Sequence, residues 1–225
     1  MSNTVSESAP YRWRWVVLGI VLAAEIMDLL DATISSIAAP SIVRDIGGGD
    51  TTMQWLAAAY TLAFAVGLIT GGRLGDIYGR KRIFILGAIG FTAMSGLCAA
   101  AWSPGSLIAF RALQGGFGAL MIPQGLGMIK TQFPPKEMAT AFGLWGPIMA
   151  LSSVGGPILG GFLIDTDLAG LGWRVVFLIN VPVGIVAVLA AVRFMRESRS
   201  PQKVTLDLVG MGIVSVGMFA LLFPL

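Results

Sequence analysis

Long apolar segments, separated by short polar stretches, make up most of this chain. Seven of them run for about twenty residues or more, and apolar and polar positions do not alternate within them. A helix of about 20 apolar residues crosses the hydrocarbon core of a bilayer, whereas open strands would leave backbone groups unsatisfied in lipid. The pattern therefore predicts seven membrane-spanning helices. They cover residues 15–39, 53–72, 83–102, 105–129, 138–163, 174–194 and 206–225.

The composition agrees with a membrane protein and excludes several classes of function. Hydrophobic residues make up 56% of the chain, charged residues only 12%, and the mean hydropathy is +0.82, whereas soluble domains carry roughly 25% charged residues. Histidine is absent, and the single cysteine, Cys98, lies within an apolar segment. This excludes a disulfide framework, a thiolate metal site and histidine-based catalysis. We expect no enzyme activity, cofactor, metal or nucleic-acid partner.

Basic residues are concentrated in alternate connections between the predicted helices. Twelve of the fifteen lysines and arginines lie in the N-terminal segment and in the second, fourth and sixth connections. Two lie in the other connections, and Arg111 lies inside a predicted helix. Because short cytoplasmic loops are enriched in lysine and arginine, we expect a multi-pass protein of the cell membrane with a cytoplasmic N-terminus.

The predicted helices divide the chain into four parts. We expect a cytoplasmic segment at 1–13, a six-helix bundle at 14–194, a cytoplasmic connection at 195–205 and the seventh helix at 206–225. The first apolar segment exceeds the roughly 7–15 residues of a signal-peptide core, so we interpret it as a retained helix. The last helix reaches Leu225 without a flanking charge, and we therefore expect the chain to be part of a longer protein.

A charged, glycine-rich run at residues 72–82 interrupts the apolar pattern between the second and third helices. Its basic residues can act as a topological anchor, but this does not explain the acid and the glycines. Small residues let helix ends approach closely. Asp76 can accept hydrogen bonds at a helix end and can pair with Arg80, four residues later. The run therefore has the groups needed to join two helix ends.

The same run resembles the loop between the second and third helices of the major facilitator superfamily. Ile77 stands where the superfamily usually has a basic residue, which removes one pairing partner. The resemblance implies a latch that stabilises the outward-facing conformation of a transporter. The residues assigned to this latch are Gly72, Asp76, Gly79, Arg80 and Lys81.

Three acids lie in the first predicted helix, at Glu25, Asp28 and Asp31. Their spacing places them on successive turns along one side of the helix. Charges inside a membrane span are costly and point to function, so these groups are candidates for binding protons. The alternative for Asp31 is a hydrogen bond to a neighbouring helix and nothing more.

The segment L-D-A-T-I-S-S-I-A-A-P at residues 30–40 resembles an element of the first helix of drug:proton antiporters. The resemblance makes Asp31 the first choice for proton coupling, and Asp28 the second. Glu25 and Asp28 lie outside the element, and they could instead recognise a cationic substrate.

The fourth predicted helix holds Arg111, which must find an anion or carbonyl groups if it is buried. The alternative is an arginine that extends its charged end to the membrane surface. The run L-I-A-F-R-A-L-Q-G at residues 107–115 resembles an element of the same antiporters. The resemblance implies that Arg111 takes part in proton coupling, and we assign Gln114 to substrate binding.

The fifth predicted helix contains the run G-G-P-I-L-G-G at residues 155–161. Glycine and proline in a span give a kink and a flat surface for close packing. The run resembles the antiporter motif of exporters, and the resemblance implies packing on the opposite half of a transporter. Ordinary small-residue packing without meaning for transport direction is the alternative. The residues assigned to this packing are Gly156, Pro157, Gly160 and Gly161.

The run G-W-R-V-V-F-L-I-N-V-P-V-G at residues 172–184 resembles the fourteen-span branch of the drug:proton antiporters. The resemblance extends from Arg14 to the end of the chain. It implies an all-α polytopic membrane protein, with the N-terminal six-helix bundle of the major facilitator fold and one further span.

The implied function is proton-coupled efflux of small hydrophobic or cationic compounds by alternating access. The implied partners are protons, those compounds, the lipid bilayer, and a missing C-terminal bundle or a second copy of the chain. Two alternatives stay open, which are a truncated membrane protein that does not transport and a metabolite facilitator of the same superfamily.

Overall fold

The structure is a computed structural model that describes residues 10–199 and the helical positions 210, 212, 213, 216, 217 and 220. Between residues 10 and 199 the chain forms eight α-helices and two short 3-10 turns, with no β-strand. The helices are α1 (Arg14–Ile46), α2 (Asp50–Tyr78), α3 (Arg80–Ala99), α4 (Pro104–Gln132), α5 (Pro135–Gly143), α6 (Trp145–Asp165), α7 (Val175–Leu178) and α8 (Asn180–Phe194).

The first six predicted spans are confirmed as helical segments. The fifth consists of α5 and α6, and the sixth consists of α7 and α8. The first part of each, α5 or α7, ends four residues before a proline, Pro147 or Pro182, which has no N–H to donate to the carbonyl of that last residue. The seventh predicted span, at residues 206–225, lies largely outside the described residues and stays a prediction.

Five segments of the described chain are long and apolar enough to cross a membrane. They cover residues 50–78, 80–99, 104–132, 135–165 and 172–194. The remaining long helix, α1, has 33 residues and would extend about 50 Å. It carries the three acids described above, which lower its mean hydropathy but do not shorten it.

Close packing in the bundle depends on glycine. Helix α4 packs against α2 and α3, and α1 packs against α6 and α8. A Cβ atom added to Gly71 would lie 2.5 Å from the backbone oxygen of Ala119. A side chain of any size there would force α2 and α4 apart, so these two helices meet backbone to backbone.

One end of the bundle, here called the Gly79 end, brings together the α2–α3 connection, the start of α1 and the end of α8. The guanidinium of Arg14 donates to both carboxylate oxygens of Glu137, at 2.7 and 2.8 Å. The hydroxyl of Tyr11 donates to the carbonyl of Phe194 at 2.8 Å. The N-terminal segment is thereby attached to both α5 and α8.

The opposite end, here called the Asp45 end, is closed by one carboxylate. Oδ2 of Asp45 accepts a hydrogen bond from the indole N–H of Trp173 at 2.9 Å and another from Arg174 at 2.7 Å. The indole bond and then the arginine lower the pKa of the Asp45 carboxyl. This contact joins the end of α1 to the turn that precedes α7.

Candidate functional site

A buried ion pair between Asp31 and Arg111 lies in the interior of the bundle. Both side chains are at most 1% exposed, and Nη1 of Arg111 donates to Oδ2 of Asp31. The guanidinium also donates to Oε1 of Gln114 at 2.8 Å and to the backbone oxygen of Leu56 at 3.3 Å. Arg111 is therefore an interior residue with a paired charge and does not extend to the membrane surface.

Hydrogen bonds from the second carboxylate oxygen of Asp31 connect two more helices to the pair, α8 directly and α3 through Gln114. Oδ1 accepts from the amide of Asn180 at 2.6 Å and from the amide of Gln114 at 3.0 Å. Gln114 also donates to the hydroxyl of Ser95 at 2.8 Å. These five residues, Asp31, Ser95, Arg111, Gln114 and Asn180, are here called the Asp31 cluster, and they connect α1, α3, α4 and α8.

Gln114 is placed differently from what the sequence suggested. Its side chain is fully buried, and its amide nitrogen and oxygen are both engaged within the Asp31 cluster. Gln114 therefore forms hydrogen bonds with both Asp31 and Arg111, and these bonds fix the orientation of the two charged side chains. A direct contact with substrate stays a prediction that these bonds do not support.

The other two acids of α1 lie on the same side of the helix, toward the Gly79 end. Asp28 is 8% exposed and Glu25 is 6% exposed. Oδ1 of Asp28 accepts from the hydroxyl of Tyr60 on α2. Neither acid forms an ion pair with a described residue. Asp31 and Asp28 therefore lie close to one buried cation, Arg111, while Asp28 and Glu25 have no ion-pair partner of their own among the described residues.

The predicted partners in the α2–α3 connection are in contact. Nη2 of Arg80 lies 2.8 Å from Oδ1 of Asp76, and Nη1 of Arg80 donates to the carbonyl of Gly127 on α4 at 3.2 Å. Gly79 has a φ of +112°, which a residue with a side chain rarely adopts. Gly72 lies beside α4, close to Pro123. The connection is thus attached to α4 by the side chain of Arg80.

A further acid, Glu197, binds the same connection from the segment after α8. Its Oε1 accepts from the backbone N–H of Lys81 at 3.1 Å, and Oε2 lies 3.6 Å from Arg82. The backbone N–H of Arg80 donates to the carbonyl of Ser198 at 2.9 Å. A Cβ atom on Gly79 would lie 2.5 Å from this carboxylate. Glu197 therefore caps the first turn of α3, where acids are favourable.

The glycines of α6 pack within this bundle. A Cβ atom on Gly156 would lie 2.0 Å from Oγ1 of Thr33, and one on Gly160 would lie 3.1 Å from Ile34. The expectation that the motif packs on an opposite half is therefore wrong for these two glycines, which fit against α1. By contrast, Gly161 has no atom within 4 Å of its Cβ position, and Pro157 is exposed.

The model of the family described as "Major Facilitator Superfamily" matches residues 21–223. The chain belongs to the major facilitator superfamily. Its five membrane-length segments within the described residues agree with this membership, so the chain is a multi-pass membrane protein, as the sequence predicted. Its relatives are transporters, in agreement with the expectation that it is not an enzyme.

Two curated relatives of the superfamily show the extent of the similarity. The chain is 55% identical over 223 residues to a probable actinorhodin transporter of Streptomyces coelicolor, covering 99% of this chain and 39% of the relative. It is 38% identical over 212 residues to a tetracenomycin C resistance and export protein of Streptomyces glaucescens, covering 94% and 39%. The chain thus spans about two fifths of the length of these relatives.

A solved structure of the superfamily fold agrees with the helix arrangement. It is a bacterial homologue of the human lysosomal transporter Spinster, in an inward-facing and unoccupied conformation. The TM-score is 0.68 at 22% identity, with 88% of this chain and 47% of that chain covered. At this identity the likeness shows the fold alone.

Four residues of the site were missed from the sequence, and one of them, the buried Ser95, gave no signal because a serine in an apolar helix is ordinary. Asn180 lies within the run at 172–184, so the motif itself was a signal. Tyr60 is a polar group in an apolar helix, which is a weak signal because tyrosine is common in membrane proteins. Glu197 had no signal, since its partner Lys81 lies 116 residues away. All four depend on contacts between segments that are separated in the chain.

Proposed function

We propose that this chain forms the N-terminal half of a proton-coupled exporter of small hydrophobic or cationic compounds. The observation that carries the proposal is the buried Asp31–Arg111 pair, next to two acids without a cation of their own. Buried charges without partners are costly, so the two acids need a proton or a cation when cargo is bound or released. The names of the relatives, an antibiotic transporter and an antibiotic export protein, support the cargo class.

The Asp31 cluster is arranged so that proton binding changes helix packing. An ionised Asp31 accepts hydrogen bonds from three donors on α4 and α8. A proton on Asp31 ends the ion pair and leaves Arg111 with the oxygens of Gln114 and Leu56. Because the cluster joins four helices, this step biases the bundle toward a different arrangement. Proton binding at Asp31 is thereby linked to alternating access.

Cargo recognition is assigned to Glu25 and Asp28. The carboxylate of Asp28 is buried beside the aromatic rings of Tyr60 and Phe64, which stack with centroids 6.0 Å apart, and Glu25 lies buried one turn earlier in α1. An apolar cation that carries aromatic rings, such as tetraphenylphosphonium, has both a charge for the acids and a surface for the rings. A proton and a cationic cargo would compete for the carboxylates of Glu25 and Asp28. Such competition is required for the exchange of protons for cargo.

The Gly79 end is assigned to the cytoplasm. The four basic-rich parts of the chain meet at this end, and short cytoplasmic loops are enriched in lysine and arginine. The Asp76–Arg80 pair and the Glu197 cap hold α2, α3 and the segment after α8 together. We assign these contacts to the outward-facing conformation, in which the cytoplasmic end is closed. They must separate for the cytoplasmic end to open.

An apolar face of α6 is assigned to a partner half. Its residues have exposed fractions of 59–76% and follow one another at helical spacing. They are Leu151, Val154, Ile158 and Phe162. Since the chain spans 39% of its curated relatives, we propose that a C-terminal bundle, in the same polypeptide or in another, covers this face. Gly161 and Pro157 would contribute to that interface.

Transport in inverted membrane vesicles tests the function. The chain is expressed together with the C-terminal half of its 55% identical relative, and uptake of radiolabelled tetraphenylphosphonium is driven by respiration. We expect uptake that a protonophore abolishes and that Asp31→Asn eliminates. Asp165→Asn, which removes an exposed acid at the end of α6, serves as the matched control and should leave uptake unchanged.

Two other outcomes are informative. Uptake that persists in the presence of protonophore would indicate a facilitator. No uptake of any of several cationic and neutral probes, by a protein shown to be inserted, would favour a membrane protein that does not transport.

A further inference from the structure

Tyr60 on α2 connects the two acidic sites in the bundle interior. Its hydroxyl donates to Oδ1 of Asp28, and the guanidinium carbon of Arg111 lies 4.2 Å from the centre of its ring. A cation at this distance over an aromatic face is attracted to the ring. One side chain, only 4% exposed, therefore contacts both Asp28 and the cation that pairs with Asp31.

Two glycines of α4 hold Tyr60 in this position. A Cβ atom on Gly115 would lie 2.2 Å from the backbone oxygen of Tyr60, so the backbone of α2 is pressed against α4. A Cβ atom on Gly118 would lie 2.6 Å from Oδ1 of Asp28 and 3.2 Å from the hydroxyl of Tyr60. The ring also stacks on Phe64, at an interplanar angle of 17°. Because α4 and Phe64 confine the ring, a movement of Tyr60 requires that Asp28 and Arg111 move with it.

The charges around Tyr60 make its bond to Asp28 sensitive to what Asp28 binds. The charged groups that act on Tyr60 are Asp28 and Asp31 from α1 and Arg111 from α4, and Glu25 in turn acts on Asp28. Arg111 is the cation within this group, and Asp31 engages it. Tyr60 is thus the hydrogen-bond donor that holds Asp28 while this acid is ionised.

We propose that Tyr60 is a positioning residue that makes the occupancy of Asp28 control the Arg111–Asp31 pair. The inference rests on the proposed export function. While Asp28 is charged, the hydroxyl holds it and the ring stays against Arg111. When a proton or a cationic cargo occupies Asp28, the carboxylate becomes a weaker acceptor and the ring is released. Arg111 then shifts relative to Asp31, which can exchange its proton in step with the cargo.

The ratio of protons to cargo tests this role. Tyr60→Phe removes the hydroxyl but keeps the ring, so a merely structural role would alter the rate and leave the ratio unchanged. With tetraphenylphosphonium in the vesicle assay, we expect Tyr60→Phe to reduce the maximal rate about tenfold or more, since a hydrogen bond to a charged group is lost. We also expect the proton-to-cargo ratio to fall at least about twofold. Tyr78→Phe, the same change at a position 53% exposed on the same helix, should keep the wild-type rate and ratio.

A second readout does not depend on transport. Thermal unfolding of the detergent-solubilised chain is measured for Tyr60→Phe, Asp28→Leu and the double variant. We expect the second substitution to add almost nothing to the first, because both remove the same bond.

Additive effects in this cycle, or an unchanged proton-to-cargo ratio in Tyr60→Phe, would overturn the inference. If the unsubstituted protein moves no tetraphenylphosphonium, the proposed function fails, and the unfolding cycle alone decides whether Tyr60 and Asp28 act together.

Discussion

Removing one member of the buried ion pair should cost a large part of the stability of the bundle. Asp31→Asn keeps the shape of the side chain but leaves the charge of Arg111 without a counterion at 1% exposure. Breaking a buried pair in this way costs about 3–5 kcal/mol. Because the guanidinium retains the oxygens of Gln114 at 2.8 Å and Leu56 at 3.3 Å, we expect the lower end of the range, about 3 kcal/mol. Domains are stable by about 5–15 kcal/mol, so the variant should fold but be weakened.

Unfolding of the purified chain in mixed micelles, followed by circular dichroism, measures this loss. The double variant Asp31→Asn with Arg111→Met removes both charges, and replacing a buried pair by neutral groups is often close to neutral for stability. We therefore expect the double variant to be more stable than Asp31→Asn alone. Asp165→Asn serves as the exposed control and should change stability by less than about 0.5 kcal/mol.

Two results would contradict a buried, mutually dependent Asp31–Arg111 pair. A loss below about 1 kcal/mol for Asp31→Asn would mean that water reaches Arg111, because an exposed ion pair is worth no more than that. A double variant with the summed losses of its two single variants would mean that the charges do not depend on each other.

Three further predictions concern the two ends of the bundle. Asp76→Asn should slow the conformational cycle more than it weakens cargo binding, and a large loss of affinity at normal turnover would count against a latch. Glu197→Ala should lower the free energy of unfolding by about 1 kcal/mol, as for loss of a helix cap, and an unchanged value would exclude the cap. Because Trp173 and Arg174 lower the pKa of Asp45, this acid contributes stability that is fully present above its unfolded pKa of about 3.9 and is lost as the pH falls through the lower folded value. Asp45→Asn should therefore remove part of the loss of stability below about pH 4, and identical pH profiles for both proteins would contradict this.

The helices could be predicted because lipid leaves the backbone few choices. Each apolar segment of sufficient length had to be a helix, and six of these predictions are confirmed in the described residues. The lengths of the helices were less predictable than their existence. Helix α1 continues to Ile46, seven residues beyond the end of the predicted span. The apolar pattern marks only the part of a helix that lies in lipid, and a helix can continue past it. The helix breaks before Pro147 and Pro182 are consistent with the missing N–H groups of these prolines. They could not be predicted from the apolar pattern, since both segments are apolar throughout.

The charged members of the site could also be singled out, because a charge within a membrane span is costly enough to need a reason. This applied to Asp31 and Arg111. The neutral partners could not be predicted, since a buried amide or hydroxyl is ordinary. Asn180 is 149 residues from Asp31 in the chain, and only the packing of α8 against α1 brings them together. The same holds for Tyr60, whose position depends on the glycines of α4.

If Asp31 links proton movement to cargo movement, its loss should separate driven uptake from simple exchange. Net uptake of tetraphenylphosphonium driven by a proton gradient is measured beside the exchange of labelled for unlabelled tetraphenylphosphonium at equal concentrations, for the unsubstituted protein and for Asp31→Asn. Exchange needs the cargo site and the conformational change but no net proton transfer. We predict that Asp31→Asn abolishes net uptake and retains exchange. Net uptake at the unsubstituted rate in Asp31→Asn would contradict the account.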